Sequence, residues 1–178
     1  RKSPKEAKNE VIETWKDISK ALDEKIRAFL KHYWHSREGV ITERKLFREF
    51  KKHFEGKKED VLKFVKELKE EAEIYSSLSY PEKRDWEDKK LLELLTDFNR
   101  LGVKQALPIL MIAKKKFNPD LFKKLVTAIT NFTLRYIIIC EKPENILEGR
   151  FSNIAKNIRN GAIRDLRGAL NQLNDLYP

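Results

Sequence analysis

Asn118-Pro119-Asp120-Leu121-Phe122-Lys123-Lys124-Leu125-Val126-Thr127-Ala128-Ile129-Thr130-Asn131-Phe132-Thr133-Leu134-Arg135-Tyr136-Ile137-Ile138-Ile139-Cys140 is the stretch on which the fold turns. It opens with a capping asparagine and a proline whose missing N–H costs little at a helix start. Phe122, Leu125, Val126, Ile129, Phe132, Thr133, Tyr136, Ile137 and Cys140 then recur on one face at helical spacing. The run Tyr136-Ile137-Ile138-Ile139 suits a strand by propensity. Its phase nevertheless joins smoothly onto the preceding helix, so the spacing predicts the buried end of that helix. No convincing strand remains, and the chain reads as all-α, an irregular multi-helix bundle of about nine helices.

Working outward, Val103 to Ala113 is almost wholly apolar past Gln105. A helix apolar all round is buried at the centre of its domain. Pro108 near its start removes the least costly N–H. Upstream, Leu91, Leu92, Leu94, Leu95 and Phe98 form another helix closed by Gly102. Val61, Leu62, Val65, Leu68, Ala72, Tyr75 and Leu78 form a long stripe that must end before Tyr80-Pro81. Thr42 is placed to cap a short helix carrying Leu46, Phe47, Phe50 and Phe54, with Gly56 as its stop, and Gly39 is the turn residue before it. Ser3-Pro4-Lys5-Glu6 is an N-terminal capping signature. Val11, Trp15, Ile18 and Leu22 follow it, and Ile26, Phe29, Leu30, Tyr33 and Trp34 continue the pattern. Downstream of Pro143, helices are predicted around Phe151 to Arg159 and Ile163 to Leu176, separated by Asn160-Gly161. Residues Ser76 to Asp85 are the best internal boundary. The expectation is a single helical domain over 1–178, in which a smaller N-terminal portion (residues 1–80) packs on a core portion (residues 85–178).

The 178 residues are 40% hydrophobic and 37% charged, with only six glycines and six prolines. That composition excludes disorder and a turn-rich β-sandwich. A lone Cys140 excludes an internal disulfide framework and fits a reducing compartment, so a cytoplasmic location is expected. Arg1 to Asp17 is charged throughout and does not read as a signal peptide. The apolar run Ala106 to Ala113 is too short to span a bilayer, and no membrane contact is expected.

Net charge is +10, which favours polyanionic partners. Arg100 to Arg135 holds eight basic residues against Asp120 alone. Within it, Lys114, Lys115, Lys116, Lys123 and Lys124 surround one helix–turn–helix junction. Lys114 to Lys116 suit the negative end of a helix dipole, whereas Lys123 and Lys124 sit near a helix start and lack that excuse. Phosphate contact explains the cluster, and so does ordinary solvation of a helix surface.

Catalytic chemistry is not legible. His32 and His35 lie three apart, a spacing two metal ligands can use, but no cysteine pair or acidic partner completes a set with them or with His53. Carboxylates interleave with lysines, as in Glu67-Leu68-Lys69-Glu70-Glu71, the pattern of a solvated helix rather than a sheltered acid–base pair. There is no Gly-rich phosphate loop and no nucleophile elbow. Cys140 on an apolar face reads as core. Trp15, Trp34, Trp86, Phe47, Phe50 and Phe54 could stack on unpaired bases, yet their helical spacing favours a core, with Trp86, between charges, the exception. No catalytic residue, metal or cofactor is therefore expected.

Two longer segments carry a resemblance. The first is Phe29-Leu30-Lys31-His32-Tyr33-Trp34-His35-Ser36, then Val40-Ile41 and Lys45-Leu46-Phe47-Arg48-Glu49-Phe50-Lys51. The second is Leu121-Phe122-Lys123-Lys124-Leu125, Phe132, Leu134-Arg135-Tyr136, Glu144-Asn145-Ile146-Leu147-Glu148 and Phe151-Ser152-Asn153-Ile154-Ala155. Together they resemble the GmrSD-like family of modification-dependent restriction proteins, over most of residues 26 to 160. Such proteins join a ParB/sulfiredoxin-like nucleotide-hydrolysing domain, a helical middle region and a His-Asn-His nuclease domain. The family's Asp-Gly-Gln-Gln-Arg motif and nuclease motif are absent here, so no catalytic residue carries over. The chain looks like the helical region alone. The resemblance implies a non-catalytic module of a DNA-targeting defence protein, its partners double-stranded DNA and the flanking nuclease and nucleotide-hydrolysing domains. A protein–protein scaffold without a nucleic-acid role is the alternative. Arg135 and Asn145 match positions of the pattern; physically, Asn145 is placed to cap or turn the chain after Pro143, and Arg135 to reach a carboxylate such as Glu144 or Glu148.

Overall fold

The computed structural model describes residues 4–54 and 61–176; the side chains of Pro4, Ala7, His53, Phe54 and Asp175 are also outside the description. The readings of Ser3 as a cap, of Gly56 as a stop, and of the His53 and Phe54 side chains fall outside the described residues. The α-helices are α1 (Pro4–Leu22), α2 (Ile26–His35), α3 (Glu43–Phe54), α4 (Val61–Ser79), α5 (Lys89–Arg100), α6 (Leu107–Lys116), α7 (Pro119–Thr133), α8 (Glu144–Arg159) and α9 (Leu166–Asn171). Short 3₁₀ turns lie between several of them, and no strand occurs among the described residues. The fold is all-α, as the periodicity predicts.

Local signals explain the boundaries. Asn118 caps α7, its Oδ1 accepting from the Leu121 N–H at 2.8 Å, and Asp88 caps α5 from Oδ1 to the Leu91 N–H at 3.0 Å. Asp23, with φ of 52°, ends the run between α1 and α2. Gly102, at φ of 73°, lets the chain reverse after α5 where a side chain would be strained.

α6 is the centre. Every residue from Leu107 to Ala113 is buried, and the helix touches α2, α4, α7 and α8. α1 lies along α4 and α8 along α6. The inward faces of α5 and α7 meet, placing Leu95 and Phe98 in the same core as Phe122, Val126 and Ile129. Buried residues on both sides of Ser76–Asp85, from Ile18 to Leu173, belong to one continuous core.

Three readings are corrected. The segment after α7 is helical but not its buried end: Leu134–Ile139 winds as a wider π turn, with the Cys140 N–H reaching back to the Arg135 carbonyl at 2.9 Å. The extra residue per turn slips the phase, so Tyr136 stays buried while Ile138 and Ile139 are 56% and 68% exposed. Asn145 does not cap α8, because Pro143 holds the capping position and Asn145 falls inside the first turn. Among the aromatics, Trp15 and Phe47 are exposed rather than core. Trp86 is buried instead, its Nε1 donating to the Pro81 carbonyl at 3.0 Å.

Candidate functional site

The lysine junction folds as the sequence places it, across the α6–α7 turn, but its side chains diverge. Lys114 lies over the Trp86 ring at 4.4 Å and the Phe122 ring at 5.3 Å, and partial burial there lowers its pKa. Lys115 turns toward α4, 3.2 Å from Glu70 and 3.6 Å from Glu71. Lys123 donates to Asp88 at 2.6 Å; that bond chiefly, with the Leu91 N–H, holds the Asp88 carboxyl below its ordinary value. The helix dipole gives Lys123 no reason to sit at the start of α7, but Asp88 does: the pair braces the α5 cap. Lys116 and Lys124 are exposed and form no ion pair among the described residues. Arg135 is exposed too and reaches neither Glu144, which accepts from Gln105 at 2.8 Å, nor Glu148, which pairs with Lys31 at 2.7 Å.

Behind Lys115 lies a polar centre that the sequence pattern hides. Glu71 is fully buried on the inner face of α4. Three cations from three other elements converge on its Oε1: Arg159 of α8 at 3.5 Å, Lys115 of α6 at 3.6 Å and Arg37, following α2, at 3.7 Å. These are ion-pair rather than hydrogen-bond distances, so the charge is compensated without being saturated. Arg37 also pairs with Glu67 and covers the Tyr33 ring at 4.6 Å. Burial raises the Tyr33 pKa, and burial with the Arg37 charge lowers that of Arg159. Glu67 and Glu71 stand four apart within a mixed-charge run, so periodicity alone reads both as solvated.

No family model, curated protein or solved structure matches this chain.

The same region anchors the C-terminal end of α2. Ser152, Lys156 and Arg159, successive on one face of α8, donate to the carbonyls of His35 (2.6 Å), Glu38 (3.4 Å) and Ser36 (3.1 Å). Donors at the negative end of a helix satisfy carbonyls that have no partner within it. His35 helps from inside: its Nε2 lies 3.0 Å from the Ile41 nitrogen and 3.2 Å from the Ile41 carbonyl oxygen, while Nδ1 faces Glu148 at 3.8 Å. Burial chiefly lowers the His35 pKa, matching a neutral ring. His32 and His35 are therefore buried packing groups on α2, their rings 6.4 Å apart. Cys140 is free and half-buried at the end of the π turn. Among the described residues, no group of three or more His, Cys, Asp or Glu is placed to hold a metal, and no helix is long and apolar enough to cross a membrane.

The arrangement presents charge at the surface over a buried charged centre. Its carboxylate Glu71 is ringed by cations and lies beneath the surface, while Lys116 and Lys124 are exposed cations without an ion pair among the described residues.

Proposed function

We propose that this chain is the non-catalytic helical module of a DNA-targeting, restriction-type defence protein of the cytoplasm. It joins nucleotide-hydrolysing and nuclease domains through its one core and touches duplex phosphate at the α6–α7 junction. The resemblance over residues 26 to 160 supports the setting. The observation that carries the DNA contact is the pair Lys116 and Lys124, both exposed and without ion pairs among the described residues, on either side of a turn. Lys114, Lys115 and Lys123 add positive potential around them, although each has an intramolecular partner.

The test is duplex binding across a salt series. Lys116→Glu with Lys124→Glu should weaken binding alike for all sequences and flatten the salt slope by about one unit per lost contact. Stability should move by no more than about 0.5 kcal/mol, because both side chains are exposed. Unchanged affinity in the folded double variant would favour the scaffold reading. One observation already leans that way: Lys115 and Lys123 serve Glu70 and Asp88.

A further inference from the structure

Two residues of the segment between α4 and α5 reach the lysine junction. Trp86 is buried, its Nε1 donating to the Pro81 carbonyl at 3.0 Å, and Lys114 lies over its ring at 4.4 Å. Two positions on, Asp88 divides its carboxylate between two tasks. Oδ1 accepts the Leu91 N–H at 3.0 Å and caps α5, while Oδ2 accepts from Lys123 Nζ at 2.6 Å. The junction that would meet phosphate therefore already holds an anion, placed there by a neighbouring helix start.

The partnered lysines are not equivalent. Lys115 reaches the buried Glu71 at 3.6 Å as well as the exposed Glu70 at 3.2 Å. Drawing Lys115 away would leave a buried carboxylate short of one of its cations, which is costly. Lys123 and Asp88 are both partly in water, their side chains 28% and 43% exposed, and such a pair is weak and screened by salt. Lys123 can leave without unmaking α5, because the capping bond uses the other carboxylate oxygen. Its stem is flexible, and Lys124 is the next residue on α7. A duplex carries one phosphate charge about every 1.7 Å of its axis, a denser row of anions than one carboxylate. Lys89 and Lys90, which follow Asp88, are exposed, and Lys89 lies 3.5 Å from Asp85.

We propose that Asp88 is an autoinhibitory carboxylate of the α6–α7 junction: it holds Lys123 off polyanions until a duplex docked on Lys116 and Lys124 takes Lys123 from it. This rests on the DNA reading of Lys116 and Lys124 and adds to it how that site is restrained. Lys115 stays with Glu70 and Glu71 throughout.

The test is duplex titration of the full chain across a salt series. Asp88→Asn removes the charge and keeps a capping oxygen, asparagine being as good a helix cap as aspartate. Asp85→Asn makes the same change of net charge at a fully exposed side chain and serves as control. Asp88→Asn should bind at least about threefold tighter than Asp85→Asn does, and that excess should vanish when Lys123→Gln is added. Lys123→Gln alone should flatten the salt slope by about one unit, which tests the exchange even if the α5 cap does not tolerate asparagine. Circular dichroism checks that each variant is folded. Equal gains in the two Asn variants, an excess that survives Lys123→Gln, or an unchanged slope in Lys123→Gln each overturn the proposal. Wild-type binding that is weakened by Lys116→Glu with Lys124→Glu but indifferent to Asp88→Asn overturns the proposal and leaves the DNA reading standing. Absence of duplex binding by both the wild type and Asp88→Asn overturns the two together.

Discussion

His32 lies against Tyr75, ring centroids 5.7 Å apart, and its Nδ1 has no hydrogen-bond partner among the described residues. Burial, then the nearby His35 and Lys31 charges, push its pKa down to about 3. The folded chain therefore keeps His32 neutral at pH 5, while the unfolded chain takes up a proton below about pH 6.5. The folded pKa is depressed, so stability is complete above pH 6.5 and is lost as pH falls from there toward 3. By pH 5 the loss from this one residue is about 2 kcal/mol. His35, also lowered, adds in the same direction. Asp17 and Asp88, held low by Lys69 and Lys123, act at lower pH still. Urea unfolding at pH 7 and pH 5 should show the drop, and His32→Phe should shrink it. An unchanged pH difference in that variant would move the acid sensitivity elsewhere. Glu71 is the opposite case at the same scale: a buried charge tolerated because three cations surround it.

At the scale of the helix, α6 and α7 divide the core between them. Leu110 and Ile129 are both fully buried, so Leu110→Ala and Ile129→Ala should each cost roughly 2–5 kcal/mol. Losses below about 1 kcal/mol at both, read from denaturant midpoints, would contradict a central α6–α7 pair. α7 was legible because polar residues interrupt its apolar ones behind a capping Asn-Pro, and α6 because a long apolar run with Pro108 at its start reads as a helix apolar all round. Tyr136 to Ile139 offers no such mark. Four apolar residues in a row cannot reveal whether a turn closes after four residues or five, and the π turn escaped for that reason. Phe47 escaped similarly: it shares a face with Leu46 and Phe50, but only the tertiary packing of α3 decides which of the three is covered. The lysine junction was legible as a sequence position and not as a surface. Lys115 and Lys123 find partners 45 and 35 residues away, distances over which local spacing carries no information.

For the molecule as a whole, the question is whether residues 1–80 and 85–178 behave as one unit. Composition marks Ser76–Asp85 as a joint, with a proline and a charge run. Packing crosses it several times: α4 touches α6, α2 touches both α6 and α8, and Ser152 and Arg159 bind carbonyls more than a hundred residues earlier in the chain. Glu71, on the early side, is compensated by Lys115 and Arg159 on the late side. Opening the joint would expose the apolar surface of α6 and strand a buried carboxylate, two costs that reinforce each other. Unfolding should therefore be a single cooperative transition. Far-UV circular dichroism and tryptophan fluorescence, reporting from Trp15 and Trp34 on one side and Trp86 on the other, should trace superimposable urea curves. Ile129→Ala, placed wholly on the late side, should lower both midpoints equally, and amide exchange in α1 and α4 should accelerate with that in α7. If α1 to α4 kept their protection while α7 lost its own, the joint would be a real seam, and a module built to connect domains would have a place to bend.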